Sequence, residues 1–280
     1  MKSYLKLTIL ILIVTFTSCQ DVVDIEVQTA PSRLVIEASL DWEKGTLGNE
    51  QTIKLSTSKP YFDTTKNLGV IGASVKVTND SNGDEFIFTD QNNGNYITTE
   101  FVPIINQSYT LEVIYNEENY TATETLMSVV DNVELSQSRE DGSDDEALEI
   151  KTSFNDPEAE ENFYLLKFNE RGDLFSTFIN VKDEFINGNE VSIIYEKEDD
   201  KDSNTFVFEP GDVVDVEVLG ISEAYYDFIG ILIAQSEGVG LFGTTPVSLK
   251  GNCVNLTNPD NYANGYFRLT EVVKKTYTFK

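Results

Sequence analysis

The sequence predicts an all-β chain, and three observations carry that expectation. Short runs of β-branched and aromatic residues alternate with polar ones, the period-two signature of half-buried strands. Gly, Asn and Asp separate the runs, as turns require. One segment alone breaks the pattern with the spacing of an amphipathic helix. A hydrophobic content of 40%, with 17 Phe and 13 Tyr, supplies the core that disordered acidic chains lack.

Residues 33–40, 51–57, 73–78, 85–89, 95–98, 108–115 and 120–126 read as strands. Alternation is clean in Val75-Lys76-Val77-Thr78 and in Tyr109-Thr110-Leu111-Glu112-Val113, which gives each strand one wet face and one core face. Asn82-Gly83, inside Asp80-Ser81-Asn82-Gly83-Asp84, suits a tight hairpin. Such a succession, without a helix, predicts a β-sandwich of immunoglobulin or prealbumin-like type over residues 32–127.

A second β-rich unit is expected over residues 128–280. Its strands are predicted at 148–154, 162–168, 174–181, 191–195, 205–208 and 213–219, and two closing strands at 266–270 and 274–279. Between them lies the helix, 222–236. Tyr225, Phe228, Ile229, Leu232 and Ile233 form its apolar stripe. Ser222 is a good N-cap, Glu223 suits the positive end of the helix dipole, and Gly238 and Gly240 can end it. The stripe reads as a face packed on a sheet, not as a cofactor site.

The N-terminus reads as an address. Lys2 and Lys6 precede an apolar run over residues 7–16, roughly half the 20 residues or so that a membrane-crossing helix needs. It is therefore the core of a signal peptide, residues 1–18. Phe16-Thr17-Ser18-Cys19 resembles the lipobox of bacterial lipoproteins, with Phe16 where Leu is usual. The resemblance implies cleavage before Cys19 and acylation of that residue, and more than one acyl chain makes a stable anchor. Residues 19–31, with Asp21, Asp24 and Glu26, then form an acidic tether. Gln20-Asp21-Val22-Val23-Asp24 resembles the acidic stretch of surface-displayed lipoproteins in Bacteroidetes.

Composition excludes several chemistries. There are 48 acidic residues against 20 basic ones, a formal net charge of -28, and no histidine. A Ser-His-Asp triad and any histidine-containing metal site are ruled out. Nucleic-acid binding through a basic surface is not expected of such a charge. With Cys19 acylated, Cys253 has no disulfide partner, and no histidine exists to activate it as a nucleophile. It is read as a small buried side chain.

Carboxylates are the remaining acid–base groups in quantity. Asp144-Asp145-Glu146, Glu158 with Glu160-Glu161, and Glu198-Asp199-Asp200 lie in polar stretches, where solvation keeps them ordinary. None has the Asp-x-Asp-x-Asp-Gly spacing of an EF-hand-type loop. Asn155-Asp156-Pro157-Glu158 and Asn258-Pro259-Asp260-Asn261 could bear a ligand such as calcium, though such clusters commonly serve as plain turns. Gly238-Val239-Gly240-Leu241-Phe242-Gly243 follows a helix where a dinucleotide loop would open one. No catalytic residue, metal ligand or cofactor is assigned.

Several segments occur together in a familiar order. They are Arg33-Leu34-Val35-Ile36-Glu37-Ala38, Leu55-Ser56-Thr57-Ser58-Lys59-Pro60-Tyr61-Phe62 and Gly72-Ala73-Ser74-Val75-Lys76-Val77-Thr78. Tyr120-Thr121-Ala122-Thr123-Glu124-Thr125-Leu126, Asp183-Glu184-Phe185-Ile186-Asn187-Gly188, and Gly251-Asn252 with Gly265-Tyr266-Phe267 follow. The chain thereby resembles the Bacteroidetes lipoproteins of domain of unknown function 4249 over nearly its whole mature length. That resemblance implies a two-part, β-rich outer-membrane lipoprotein, often encoded beside a TonB-dependent transporter. It brings no catalytic residues. The expected role is non-enzymatic: an accessory or ligand-capture partner of such a transporter, with loops around residues 241–266 as recognition surface. A structural or adhesion-type surface protein is the alternative, and an enzyme without histidine chemistry the third.

Overall fold

The computed structural model describes residues 31–60, 63, 65, 69–142, 147–158, 161–183, 188–197, 206–236 and 249–280. The predicted signal peptide, Cys19 and all but the last residue of the tether lie outside the described residues. So do Asp144-Asp145-Glu146, Glu160, Glu198-Asp199-Asp200 and the stretch 237–248 with its glycines.

The fold is all-β with one helix among the described residues, as the sequence predicts. Its first seven strands are β1 (Leu34–Glu43), β2 (Gln51–Thr57), β3 (Ser74–Asn79), β4 (Glu85–Asp90), β5 (Asn95–Thr98), β6 (Ser108–Tyr115) and β7 (Glu118–Thr125). They run in the order β1-β2-β5-β4-β3-β6-β7. Folded over on itself at the β3–β4 hairpin, that order is the A-B-E-D and C-F-G arrangement of an immunoglobulin sandwich. Every second side chain of β1, Leu34, Ile36, Ala38 and Leu40, is buried, and so are Val75 and Val77 of β3 and Tyr109, Leu111 and Val113 of β6. The predicted Asn82-Gly83 turn closes β3 onto β4: Gly83 adopts φ 79°, and Asn82 Oδ1 accepts Asp84 N–H at 2.9 Å.

The remaining strands are β8 (Glu134–Ser138), β9 (Glu149–Asn155), β10 (Phe163–Glu170), β11 (Thr177–Lys182), β12 (Glu190–Glu196), β13 (Val213–Ile221), β14 (Val254–Asn255) and β15 (Asn264–Thr278). Strands β12-β9-β8 make a separate sheet, while β11-β10-β13-β15 continue the large sheet beyond β1. The helix α1 (Glu223–Ser236) covers the outer face of β10, β13 and β15. Layering explains why β10 reads as continuously apolar. Tyr164, Leu166 and Phe168 pack toward the three-stranded sheet, and Phe163 and Leu165 pack toward α1. On β13, Val214, Val216 and Val218 face the first layer, Leu219 and Ile221 the second.

The structure departs from the sequence-based expectation at several elements, among them the short strand β14 inside the expected loop. The two closing strands are one: β15 runs unbroken, parallel to β1 from Asn264 to Val272 and antiparallel to β13 from Val272 to Thr278. Glu271, between the two expected runs, does not interrupt the strand: it is buried, and its carboxylate accepts Lys44 Nζ and Val129 N–H from outside β15. The expected strand at 205–208 is reduced, in its described part, to a single bridge between Phe208 and Leu148. Strand β8 is too polar to be recognised by pattern. Finally, α1 is rotated from the expected stripe: Tyr225 and Ile229 are buried with Tyr226, Phe228 and Ile233 beside them, whereas Leu232 is 46% exposed.

Ser32–Lys59 and Asp63–Lys280 form one compact unit. Its apolar side chains divide near residue 127, one cluster running from Leu34 to Leu126 and the next beginning at Val129. Strand β15 contributes to all of them. Phe267 and Leu269 enter the first cluster, Val273 the second, and Tyr266 and Val272 the layer under α1.

Candidate functional site

The region expected to recognise a ligand is the loop leading into β15; its described part begins at residue 249. Two glycines bring it down onto the sandwich. A Cβ on Gly251 would lie 1.6 Å from Gly265 O, and one on Gly265 2.1 Å from Ile36 O, so only glycine permits this backbone approach. Both also have positive φ, 55° and 94°. Strand β14 then pairs with β7 through Val254–Thr121 and Asn255–Tyr120.

Glu118, at the start of β7, gathers the loop's amides. Its Oε2 accepts from Tyr120 OH and Asn261 Nδ2, both at 2.6 Å, and from Asn255 Nδ2 at 3.1 Å. The Tyr120 bond, with the amides of Asn261, Asn258 and Asn255 behind it, holds the Glu118 carboxyl below its ordinary range. Asn255 Oδ1 in turn accepts Thr257 N–H and Asn258 N–H, at 3.0 and 2.9 Å. Asn258 and Asn261, singled out in the sequence as possible ligand bearers, are thus engaged in holding their own turn. Tyr262 is likewise engaged, its ring lying 3.7 Å from the Arg33 guanidinium and 4.3 Å from Lys250 Nζ. The loop's exposed large apolar side chains are Val254 and Leu256, beside the exposed residues 257–260.

A cavity of about 530 Å³ lies elsewhere, lined by Glu170, Asp173, Lys197, Phe206, Glu209 and Asp212. Lys197 is buried, its ammonium paired with Glu170 and held 3.0 Å from Asp173. Burial works to lower its pKa, but the two carboxylates outweigh that and raise it. A lysine held charged in this way cannot serve as an amine nucleophile.

Other titratable groups are also built into the frame. Cys253 is buried, and desolvation pushes its thiol up to about 12, which removes the thiolate on which reactivity depends. Glu161 pairs with Lys182 at 2.9 Å. Glu124 is raised by burial and accepts from Ser222 Oγ and Tyr266 OH, both at 3.2 Å, tying β7 to the start of α1 and to β15. The predicted cap is present, with Tyr225 N–H donating to Ser222 Oγ at 3.2 Å. Sequence reasoning missed Glu118, Glu124, Lys197 and Asp183. Glu124 and Asp183 fall in segments that carry the family resemblance, but that resemblance gives them no role, and each of the four acquires its environment from residues distant in the chain. Among the described residues no three acidic or sulfur side chains converge on a metal position, and no helix is long and apolar enough to cross a membrane.

A family model described as "Domain of unknown function (DUF4249)" matches residues 20–276. No curated protein matches the chain. Among solved structures, the chain is similar to a two-fibronectin type-III domain segment of chicken tenascin, at 13% identity over 61% of this chain and 85% of that one, with a TM-score of 0.22. It is also similar to the chicken interferon gamma receptor alpha chain, at 14% identity over 69% of this chain and 90% of that one, with a TM-score of 0.20.

Proposed function

The chain belongs to the family of domain of unknown function 4249, and on that premise we propose that it is a non-enzymatic lipoprotein anchored in the outer membrane through Cys19. Its body faces the cell surface and serves as accessory or ligand-capture partner of a TonB-dependent transporter. One observation carries the partner reading. The turn between β10 and β11 holds Leu174 and Phe175 out to solvent, 91% and 84% exposed. Beside the cavity at that end, Phe206 is 52% exposed. Large apolar side chains grouped on an otherwise acidic surface suit contact with another protein. The engaged state of Lys197, Glu118 and Cys253 supports a role in binding over one in catalysis.

The test is gentle detergent extraction and pull-down of the mature protein. An outer-membrane β-barrel is expected to co-purify, and Leu174→Asp with Phe175→Asp to reduce its recovery while leaving the circular-dichroism spectrum unchanged. Recovery of the parent protein alone would remove the transporter reading. A structural or adhesion role would then take its place, favoured by the single strand β15 that braces all three apolar clusters.

A further inference from the structure

Two carboxylates lie buried side by side where β9 and β11 end. Asp156, directly after β9, is 5% exposed, and Asp183, directly after β11, is 2% exposed. They are within hydrogen-bonding reach of each other. Asp156 is well served: its Oδ1 accepts Tyr164 OH at 2.6 Å, and its Oδ2 faces Gly188 N–H at 3.4 Å. The Asp183 carboxylate takes a main-chain hydrogen bond from Asn162, but its Oδ2 meets no donor. Main-chain bonds fix both backbones, Asp156 N–H to Asn189 O at 3.1 Å and Asp183 N–H to Asn162 O at 3.2 Å.

Burying one carboxylate oxygen without a donor is costly, and burying it against a second carboxylate is more so. The cation nearest in the electrostatics of Asp183 is Lys182, and its ammonium sits 2.9 Å from Glu161. The side-chain groups shown at the pair are all oxygens: the two carboxylates and the Tyr164 hydroxyl that donates to Asp156. Such hard donors suit calcium, which accepts carboxylates, carbonyls and water in loose geometry, and do not suit softer metals.

We infer that Asp156 and Asp183 bind a calcium ion, with Asp183 Oδ2 as the ligand oxygen otherwise left without a partner. The ion would clasp the end of β9, in the three-stranded sheet, to the end of β11, the outermost strand of the large sheet. With only two carboxylates, its dissociation constant is expected at roughly 10⁻⁴ to 10⁻³ M.

The experiment uses the mature chain stripped with chelator, at fixed ionic strength because an acidic surface attracts any cation. Terbium is the probe, since Tyr164 adjoins the site and can sensitise its emission. One saturable, calcium-displaceable site is expected in the parent and none in Asp183→Asn. About 10 mM calcium should raise the parent's unfolding midpoint by about 2–5 °C and leave the variant unmoved. Terbium binding of equal stoichiometry and affinity in Asp183→Asn would overturn the inference. So would a parent midpoint that calcium does not shift beyond matched potassium chloride; the pair would then be holding a proton. This last measurement needs no variant and decides the matter even if Asp183→Asn fails to fold.

Discussion

Asn252 takes the place of a strand opposite Phe267: its Nδ2 donates to Phe267 O and its Oδ1 accepts Phe267 N–H, both at 2.8 Å. The side-chain amide reproduces the donor–acceptor pair that a neighbouring backbone would offer, at a point where the loop passes β15 too closely for another strand. Asn252→Asp sets an acceptor against the Phe267 carbonyl and leaves that buried group unsatisfied. A loss of about 1–3 kcal/mol is expected in urea unfolding. Parent-like stability in the variant would mean that water replaces the amide.

Glu271 is buried in the middle of β15, and its Oε2 accepts Lys44 Nζ and Val129 N–H, each at 3.1 Å. Lys44 also reaches Asp131 at 2.7 Å and Val129 O at 3.0 Å. Replacing Lys44 with Met removes the charge that compensates Glu271. Because Lys44 is itself about a third exposed, the expected loss is discounted to roughly 1–3 kcal/mol. Adding Glu271→Gln to that variant should recover part of the loss, as read from the double-mutant cycle.

The β6–β7 hairpin closes through Asn116 and Glu117, at φ 50° and 65°. Asn tolerates the left-handed region, but Glu pays about 1–2 kcal/mol to occupy it. Glu117→Gly relieves that strain and loses some unfolded-state restriction in return. A net gain of about 0.5–1 kcal/mol is expected, visible as a higher thermal midpoint. A lower midpoint would show that the Glu117 side chain contributes more than its backbone strain costs.

Burial raises the pKa of Glu124 above its ordinary 4.5, so the folded state holds this proton more tightly than the unfolded chain does. As pH climbs from the unfolded value through the raised folded one, the unfolded state sheds its proton first, and stability falls. Above both values the loss is complete. Glu124→Gln should therefore remove one downward component from the stability–pH curve as pH rises above 4.5. Curves that stay parallel for parent and variant across this window would refute the assignment.

Cys253 and Cys19 should behave as opposites. In Cys19→Ser the protein is expected to leave the membrane fraction, and its remaining thiol, Cys253, to resist an aromatic disulfide reagent at pH 8 until urea unfolds the chain. The thiol's burial and a pKa pushed up to about 12 predict that resistance. A Cys19→Ser protein still sedimenting with membranes would discard the lipid anchor. Rapid labelling of native protein would discard the buried thiol.

Much of the fold was legible because strand burial is a local pattern. β2, β5 and β6 coincide with their predicted limits, and each alternates between core and solvent faces. The helix was legible from spacing and from Ser222, although Leu232 proved half-exposed because spacing alone does not say which flank meets the sheet. The candidate sites were hardly legible. Asp183 and Asp156 look like ordinary turn residues, and Asn258 and Asn261 look available, until a partner far along the chain is placed beside them.

By itself the sequence determined the all-β class, the sandwich-type first half, the helix that begins after Ser222 and the burial of Cys253, because alternation, turn chemistry and composition act over a few residues. Only the tertiary structure decided that β1 lies parallel to β15 across the length of the chain, that Glu271 sits inside a continuous strand, and that Asp183 Oδ2 is buried without a donor. The physical reason is the same in each case. Whether a charge may be buried depends on what stands within about 3 Å of it, and for Glu271 and Asp183 that neighbour comes from a distant part of the chain.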